Sequence, residues 1–284
     1  MQKRHFRELL EARWTEGKRV CVGLDSDLSK IPACACKDDS PFARITIFND
    51  AIIAATHDLV LAYKPNLAFY LSHGVQGINA LIQTVNYIRV IAPEVPVILD
   101  AKFADIGNTN LGYAKFAYDE VSADAVTLHP YLGGEALKPF LDREEKGAII
   151  LCRTSNPGAD EFQDFITAGG GTTLYQYVAH NVSTNWNKNG NCALVVGATY
   201  PQELAEVRSI VGDMPILIPG IGAQGGDLEA TVRAGKDSRN QGMIINSSRG
   251  IIFASKGEDF ADAARRETQT LTKNINQILK GEST

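Results

Sequence analysis

Short apolar runs recur along the chain, and each ends in polar or glycine-containing residues. Eight of these runs have the length and composition typical of buried strands. The predicted strands cover residues 19–25, 59–64, 95–100, 124–128, 147–152, 192–197, 215–218 and 242–246.

The segments between these runs carry apolar residues at the three- and four-residue spacing of a helix. A helix is predicted from His5 to Trp14, ahead of the first strand. Residues 29–40 and 129–134 are predicted to be loops, and the polar, glycine-rich stretch 159–172 is a long excursion of a kind that is often functional. The remaining predicted helices cover residues 42–56, 77–92, 109–121, 136–145, 174–186, 202–211 and 228–234.

Strands that alternate with helices in this way pair in parallel through βαβ crossovers, and eight such units close a barrel. The length of 284 residues suits a (β/α)8 barrel, also called a TIM barrel, for which about 250 residues is typical. A doubly wound open sheet is the structural alternative. No linker or change of composition divides the chain, so residues 1–284 are expected to form a single domain, with the additional N-terminal helix closing the bottom of the barrel.

Composition and charge narrow the functional classes. The chain is 44% hydrophobic and 21% charged, as in ordinary globular proteins, and its net charge of -5 argues against nucleic-acid binding through phosphate attraction. No apolar run approaches the roughly 20 residues of a membrane-spanning helix, and the N-terminus is charged where a signal peptide is apolar. A cytoplasmic protein without a membrane partner is therefore predicted.

The five cysteines suggest neither disulfides nor a metal site. An odd number without a secretory signal is typical of reduced thiols in the cytosol. Cys34 and Cys36 stand close together, but no second Cys or His pair follows at a zinc-like spacing. No metal site is predicted.

The most distinctive stretch follows the third apolar run. Residues 97–99 lead into Asp100, and Lys102 and Asp105 follow. Side chains two residues apart in a strand share a face, so Asp100 and Lys102 are expected to lie together. An exposed ion pair would be the simplest interpretation, but the apolar approach to the motif implies burial, which is costly for unpaired charges. Carboxylates beside an ammonium keep it protonated, which suits a proton donor.

A second motif lies near the C-terminus, where residues 219–225 match G-x-G-x-x-G between a predicted strand and a helix. A dinucleotide site would require an acidic residue about 20 positions further on, but Asn246 and Arg249 lie there instead. A phosphate held by backbone N–H groups after the last two strands, with Arg249 adding a charged fork, fits better. The alternative is that the glycines only turn the chain.

The remaining candidate chemistry is weak. His129 stands at a strand end, but a structural role is favoured for it and for the other histidines, none of which forms a metal pair. The chain has neither a G-x-S-x-G nor an H-E-x-x-H motif, so hydrolase and zinc-protease functions have no support.

Together these motifs resemble the orotidine 5′-phosphate decarboxylase family. The resemblance rests on Asp100-x-Lys102-x-x-Asp105-Ile106-x-Asn108-Thr109, with Lys64, Asp25, the segment 219–222 and Arg249, and it runs from the first strand to the last. Residues 155–158 are similar to those of the longer subgroup of this family. Ser248 departs from the glycine that many relatives carry before the arginine.

The resemblance implies a homodimeric barrel that converts orotidine 5′-monophosphate to UMP and carbon dioxide, the last step of de novo pyrimidine nucleotide synthesis, without cofactor or metal. By motif position, Lys102 is implied to protonate C6 of the pyrimidine and Asp100 to sit against the departing carboxylate. Lys64 and Asp105 complete the charge array, with Asp105 and Thr109 contributed across the dimer interface. The resemblance further implies substrate-binding roles, namely ribose at Asp25, pyrimidine at Ser155, and phosphate at Gly222, Gln224 and Arg249.

Three other functions remain open on the sequence alone. A sugar-phosphate decarboxylase or epimerase of the same barrel type shares Asp-x-Lys-x-x-Asp but uses a divalent metal. An aldolase would form a Schiff base on Lys64 or Lys102. A non-catalytic sensor of a phosphoribosyl ligand would need only the phosphate end, and it leaves the charged motif unexplained.

Overall fold

Eight parallel strands form the centre of the fold in the computed structural model, which describes residues 4–168, 171–221 and 227–281. They run in the order β2-β1-β8-β7-β6-β5-β4-β3. Parallel bridges from Tyr63 to Val97 and from Asn66 to Asp100 join the two ends of that order and close the barrel. The doubly wound open sheet is thereby excluded. The strands are β1 Val20–Leu24, β2 Ala62–Pro65, β3 Ile98–Phe103, β4 Ala125–Leu128, β5 Gly147–Arg153, β6 Cys192–Val196, β7 Ile216–Pro219 and β8 Met243–Ser247.

Helices surround this barrel and supply the crossovers between strands. Helix α2 begins with Ser40 as N-cap and Pro41 at its first position, and α8 begins with a capping box of Thr173 and Gln176. The α-helices are α1 Phe6–Thr15, α2 Pro41–Thr56, α3 Leu67–Leu71, α4 Gly74–Ile91, α5 Gly107–Lys115, α6 Gly133–Leu141, α7 Asp160–Gln163, α8 Leu174–Asn181, α9 Pro201–Val211, α10 Leu228–Gly235, α11 Arg249–Ile252 and α12 Phe260–Leu279. Single turns of π-helix extend α5 over Phe116–Glu120 and α8 over Val182–Trp186, and short 3-10 turns cover Ala33–Ala35 and Pro157–Ala159.

Alternate residues of each strand face the barrel interior, and the two ends of that interior differ. At the bottom, inward residues of several strands form one apolar cluster with α1. Trp14 is 1% exposed there, and its indole N–H donates to the carbonyl of Met243 at 2.9 Å. The expectation that the leading helix closes the bottom is therefore confirmed. At the carboxyl ends of the strands, polar and charged side chains of β2, β3 and β4 enter the interior.

Several predicted boundaries are wrong, and the third strand is the most instructive. It covers Ile98–Phe103 instead of 95–100, so Lys102 lies within the strand and not after it, whereas Asp105 still follows the strand. Helix α6 begins at Gly133, inside the predicted loop, and α3 forms a short turn ahead of α4. Residues 159–172 also contain helix α7, which the polar composition did not indicate.

Helix α12 was not predicted at all. Its buried positions Phe260, Ala264 and Thr268 recur at the four-residue spacing of a helix, so the sequence did carry a usable pattern that the prediction overlooked. Packing adds to this pattern, because the Phe260 ring stacks on Phe48 of α2 at 5.4 Å. In the described part of the chain, no helix combines the length and the apolar character needed to cross a bilayer.

The packing of Trp14 gives a first prediction. Trp14→Ala should lower the free energy of unfolding by about 3–5 kcal/mol, because it leaves a cavity under the barrel and an unpaired carbonyl at Met243. Denaturant unfolding of the two proteins would measure the difference. Val90→Ala, at a site that is 81% exposed, is the control and should change stability by less than about 0.5 kcal/mol. Equal changes in the free energy of unfolding for the two substitutions would contradict the role of Trp14 in closing the bottom of the barrel.

Candidate active site

The carboxyl ends of the strands open into a cavity of about 780 Å³. Its wall is divided by chemistry. Strands β2 to β4 supply polar groups, including Lys64, Asp100, Lys102 and Thr127, and Asp25 follows the end of β1. The inward positions of β5, β6 and β7 supply Leu151, Val195 and Leu217. A ligand in this cavity therefore meets charge on one side and apolar surface on the other.

Asp100 lies at the centre of the charged half, between two ammonium groups. Its Oδ1 atom accepts a hydrogen bond from Nζ of Lys102 at 2.7 Å, and its Oδ2 atom accepts one from Nζ of Lys64 at 3.0 Å. Lys64 is almost fully buried, whereas the Lys102 side chain is 49% exposed at the cavity mouth. The predicted pairing of Asp100 and Lys102 is confirmed. Within one chain, however, Lys102 is paired with Asp100 and not with Asp105. The lysine that lies between two carboxylates is Lys64, which faces Asp100 and Asp25.

Uncharged groups complete the environment of Asp100. The Thr127 hydroxyl donates to Oδ1 of Asp100 at 2.8 Å and accepts from the backbone N–H of Lys102 at 3.0 Å. The Asn66 side-chain amide donates to Oδ2 at 3.5 Å. Each carboxylate oxygen thus has two donors, which fixes the orientation of the group.

Burial and neighbouring charges have opposite effects on the pKa values of Asp100 and Lys64. Burial alone would raise the pKa of Asp100, but Lys64 and Lys102, with the hydrogen bonds from Lys102 and Thr127, hold the pKa well below its usual range. Burial alone would likewise lower the pKa of Lys64, but Asp100 and Asp25 outweigh it and the pKa is raised. Both groups are therefore charged near neutral pH.

The backbone at Lys102 is unusual for a lysine. Its φ angle is +51°, in the left-handed region, and the pairing of β3 with β4 shifts register between Leu99 and Phe103. This conformation costs about 1–3 kcal/mol in a non-glycine residue and is held here by surrounding contacts. The bulge projects the ammonium group into the cavity while keeping it in contact with Asp100.

Asp25 extends the array toward the far side of Lys64. Its Oδ1 atom lies 3.8 Å from Nζ of Lys64 and has no hydrogen-bond partner among the described residues. Gly23 makes room nearby, because a Cβ atom there would lie 1.8 Å from Oγ of Ser248. The serine that departs from the family pattern is thus accommodated by a glycine on the neighbouring strand.

Asp105 and Thr109 do not line the cavity of their own chain. Both lie on the turn and first residues that lead from β3 into α5, where Thr109 is exposed. Asp105 accepts a hydrogen bond from the backbone N–H of Ile106 at 2.6 Å, and its own N–H donates to Asn110 at 2.9 Å. The two residues are placed on the rim outside the cavity.

Of the residues predicted to bind substrate, Ser155 and Arg249 line the cavity together with Asp25. Arg249 begins α11 directly after β8, and Ser155 follows β5. Gly222 and Gln224 lie outside the described residues. Pro219, Gly220 and Ile221, which precede them, belong to the cavity wall.

Sequence reasoning missed several polar residues of the wall. Asn66 and Thr127 hold Asp100, and Thr199 and Asn246 each carry a buried side-chain oxygen without a hydrogen-bond partner among the described residues. Asn156 and Gln163 line the cavity from the connection after β5. Asn66 could have been predicted, because it lies two residues after Lys64 and so shares its face of the strand. Thr127 could also have been predicted, because it is a polar residue within an apolar run. Gln163 gave no such signal, since it lies in the polar stretch 159–172, for which the sequence predicted no element.

The histidines and cysteines, for which the sequence predicted no catalytic or metal-binding role, do not line the cavity. His129 is not among its lining residues, and burial raises the pKa of the Cys21, Cys152 and Cys192 thiols to about 12, which keeps them protonated. Within residues 4–168, 171–221 and 227–281, no group of three or more His, Cys, Asp or Glu side chains is arranged to hold a metal ion.

Comparisons with known proteins agree with this geometry. The model of the orotidine 5′-phosphate decarboxylase / HUMPS family matches residues 18–264. A protein of Cellvibrio japonicus named orotidine 5′-phosphate decarboxylase is 47% identical over 275 residues, which cover 95% of this chain and 98% of the relative. A protein of the same name from Ralstonia pickettii is 49% identical over 274 residues, covering 96% and 98%. The solved structure of Leishmania donovani OMP decarboxylase is 34% identical with a TM-score of 0.83, and the match covers 97% of this chain and 99% of that one.

The lowered pKa of Asp100 predicts a pH dependence of stability. The group contributes stability above its unfolded-state pKa of about 3.9, and that contribution is lost as the pH falls below this value toward the lower native pKa. Urea unfolding at pH 6 and pH 3.5 would measure the loss. Asp100→Asn should unfold more easily at pH 6, because it leaves Lys64 buried beside a neutral amide, and it should lose less stability on acidification than wild type. An equal acid loss in both proteins would contradict the assignment.

Proposed function

This chain belongs to the orotidine 5′-phosphate decarboxylase / HUMPS family, and we propose on that premise that it converts orotidine 5′-monophosphate to UMP and carbon dioxide. The reaction is the last step of de novo pyrimidine nucleotide synthesis. The observation that carries the proposal is the placement of Lys102, whose ammonium group reaches the cavity while bonded to an ionised Asp100. The cavity volume of about 780 Å³ lies within the range usual for sites that enclose a small ligand.

The chemistry requires stabilisation of a carbanion. When the bond between C6 and the carboxylate breaks, its electron pair stays on C6, which has no adjacent electron sink. Lys102 stabilises that charge as an ammonium placed in advance, and it then transfers its proton to C6 to give UMP. The neutral amine regains a proton from water. In this assignment Asp100 lies beside the departing carboxylate and holds the Lys102 ammonium group in place until then.

The remaining roles follow the wall of the cavity. Arg249 binds the phosphate, together with Gly222 and Gln224 as expected from the sequence. Asp25 accepts hydrogen bonds from the ribose hydroxyls, which its unpartnered Oδ1 atom supports. Ser155 contacts the pyrimidine from the connection after β5.

The proposal includes a homodimer in which Asp105 and Thr109 complete the partner's site. Their position on the rim outside the cavity supports this arrangement. Exposed apolar side chains flank Asp105 and Thr109 on the rim of the barrel. They lie in α5 and in the segments that follow β3 and β4, and α5 packs against α6. These side chains are Ile106, Leu111, Tyr131 and Leu132. A single domain over residues 1–284 and a cytoplasmic location also stay predictions.

The direct test adds purified protein to orotidine 5′-monophosphate and follows the fall in its ultraviolet absorbance. Turnover that is equal with and without EDTA supports the proposal, whereas loss of turnover with EDTA favours the metal-dependent alternative. That alternative is not favoured by the relatives, which at 47–49% identity are named as decarboxylases of orotidine 5′-phosphate. Borohydride trapping would detect an aldolase-type Schiff base, and ligand binding without turnover would indicate a sensor.

Lys102→Ala should remove nearly all turnover and leave the fold intact, because the proton donor is lost while the strand stays buried. Initial rates and a thermal melt would be measured together. Lys115→Ala, at an exposed lysine, is the control and should keep wild-type turnover. Retention of a tenth of wild-type kcat by Lys102→Ala would show that another group donates the proton.

Arg249→Ala should chiefly weaken the handling of the phosphate. Each lost hydrogen bond to a charged group costs roughly 1.5–3 kcal/mol, which appears as a fall in kcat/KM. Orotidine, which lacks the phosphate, should respond little to the substitution, and Arg266→Ala on the exposed face of α12 should affect neither substrate. Equal losses with orotidine and its 5′-phosphate would contradict the phosphate role.

Mixing inactive Lys102→Ala and Asp105→Ala subunits tests the shared site. A heterodimer then carries both defects in one site and none in the other, so activity should return toward about a quarter of wild type under random exchange. Mass spectrometry would confirm that subunits have exchanged. If exchange is complete and no activity returns, Asp105 acts within its own chain.

A further inference from the structure

The connection between β5 and α8 is anchored by a buried arginine that no part of the proposed reaction uses. Arg153, the last residue of β5, is 2% exposed, and its Nη2 atom donates to Oδ2 of Asp164 at 3.0 Å. Its Nε atom lies 3.0 Å from Oδ1 of the same carboxylate, at an angle that gives no hydrogen bond. A buried guanidinium thus meets both oxygens of a carboxylate from the excursion.

Two further contacts hold this guanidinium in place. Its Nη1 atom donates to the carbonyl of Thr154 at 2.9 Å, and its Cζ atom lies over the ring of Tyr200, ahead of α9, at 4.3 Å from the ring centroid. Arg153 therefore joins three segments, which are the end of β5, the excursion and the start of α9.

A second set of contacts, centred on the neighbouring residue Thr154, joins the end of β5 to α7. The backbone N–H of Thr154 donates to Oε1 of Gln163 at 2.8 Å, and Nε2 of Gln163 donates to Oγ1 of Thr154 at 2.9 Å. The Thr154 hydroxyl donates to Oδ1 of Asn156 at 2.6 Å. All three of these residues line the cavity.

Ser155 lies between these anchored neighbours. On its other side it packs against Gly197, where a Cβ atom would lie only 2.8 Å from Cβ of Ser155. The loop is therefore confined from both sides, and its position over the cavity depends on the contacts that hold its base.

We infer that Arg153 and Asp164 form a latch that positions residues 154–156 over the pyrimidine end of the substrate. The inference rests on the proposed function, which places the pyrimidine at Ser155. Neither member of the latch touches the reacting atoms, so both are positioning residues. Arg153 is buried, whereas the Asp164 side chain is 41% exposed. Loss of the carboxylate therefore leaves an uncompensated buried charge, and we expect residues 154–156 to shift as a result.

If the latch positions residues 154–156, its loss should weaken binding only of ligands that carry the pyrimidine. The latch acts at the pyrimidine end, whereas Arg249 acts at the phosphate end. A ligand that keeps the phosphate and ribose but lacks the base, such as ribose 5-phosphate, should not depend on the latch. A general loss of fold would instead weaken both kinds of ligand.

The test compares Asp164→Ala and Asp164→Glu with Asp160→Asn, an exposed carboxylate on the same excursion. In Asp164→Ala, the KM for orotidine 5′-monophosphate should rise at least tenfold with kcat reduced less than threefold. The inhibition constant of ribose 5-phosphate should stay within twofold of wild type. Asp164→Glu, which keeps the carboxylate, should recover part of the loss, and Asp160→Asn should match wild type.

Hydrogen exchange on the free proteins tests the latch without reference to activity. Amides of residues 154–163 should exchange at least tenfold faster in Asp164→Ala than in Asp160→Asn, with the strands unaffected. Unchanged exchange in these amides overturns the latch, as does an equal weakening of orotidine 5′-monophosphate and ribose 5-phosphate. Wild-type protein that fails to decarboxylate orotidine 5′-monophosphate overturns the proposed function, and the exchange result still decides the latch.

Discussion

The site depends on one carboxylate held between two ammonium groups. Asp100 accepts from Lys64 at 3.0 Å and from Lys102 at 2.7 Å, and its burial makes these contacts strong and their loss expensive. Because the pKa of Asp100 is lowered and that of Lys64 is raised, the charges are present before any ligand arrives. Fixed charge of this kind is what a reaction that develops a carbanion requires, since it needs no reorganisation as the bond breaks.

The barrel makes this arrangement possible by separating stability from chemistry. At the bottom, α1 and the inward apolar residues fill the interior, and Trp14 closes it. At the carboxyl ends, the same alternation of side chains delivers Asp25, Lys64, Asp100 and Lys102 to one side of the cavity. A buried charged cluster is tolerated at one end because the bottom of the barrel and the layer between strands and helices supply an extensive apolar core.

Much of this could be predicted from the sequence, because the signals are local. Asp100 and Lys102 end an apolar run at a spacing of two, and the eight alternating units indicated a barrel. What could not be predicted depends on contacts across the chain. Thr127 stands out as a polar residue within an apolar run, but its hydrogen bond to Asp100 exists only through the pairing of β4 with β3. Arg153 and Asp164 are a pair only because the excursion folds back.

The ionisation state of Asp100 can be measured directly. Carbon-13 NMR of protein labelled in its aspartate carboxyl groups would follow this residue, assigned through Asp100→Asn, across the pH range in which the protein stays folded. Because two ammonium groups face it, Asp100 should stay ionised well below its ordinary pKa of about 3.9, and Lys64→Met should shift its titration upward. A titration of Asp100 at or above that ordinary value in the wild-type protein would show that the two lysines do not hold it ionised.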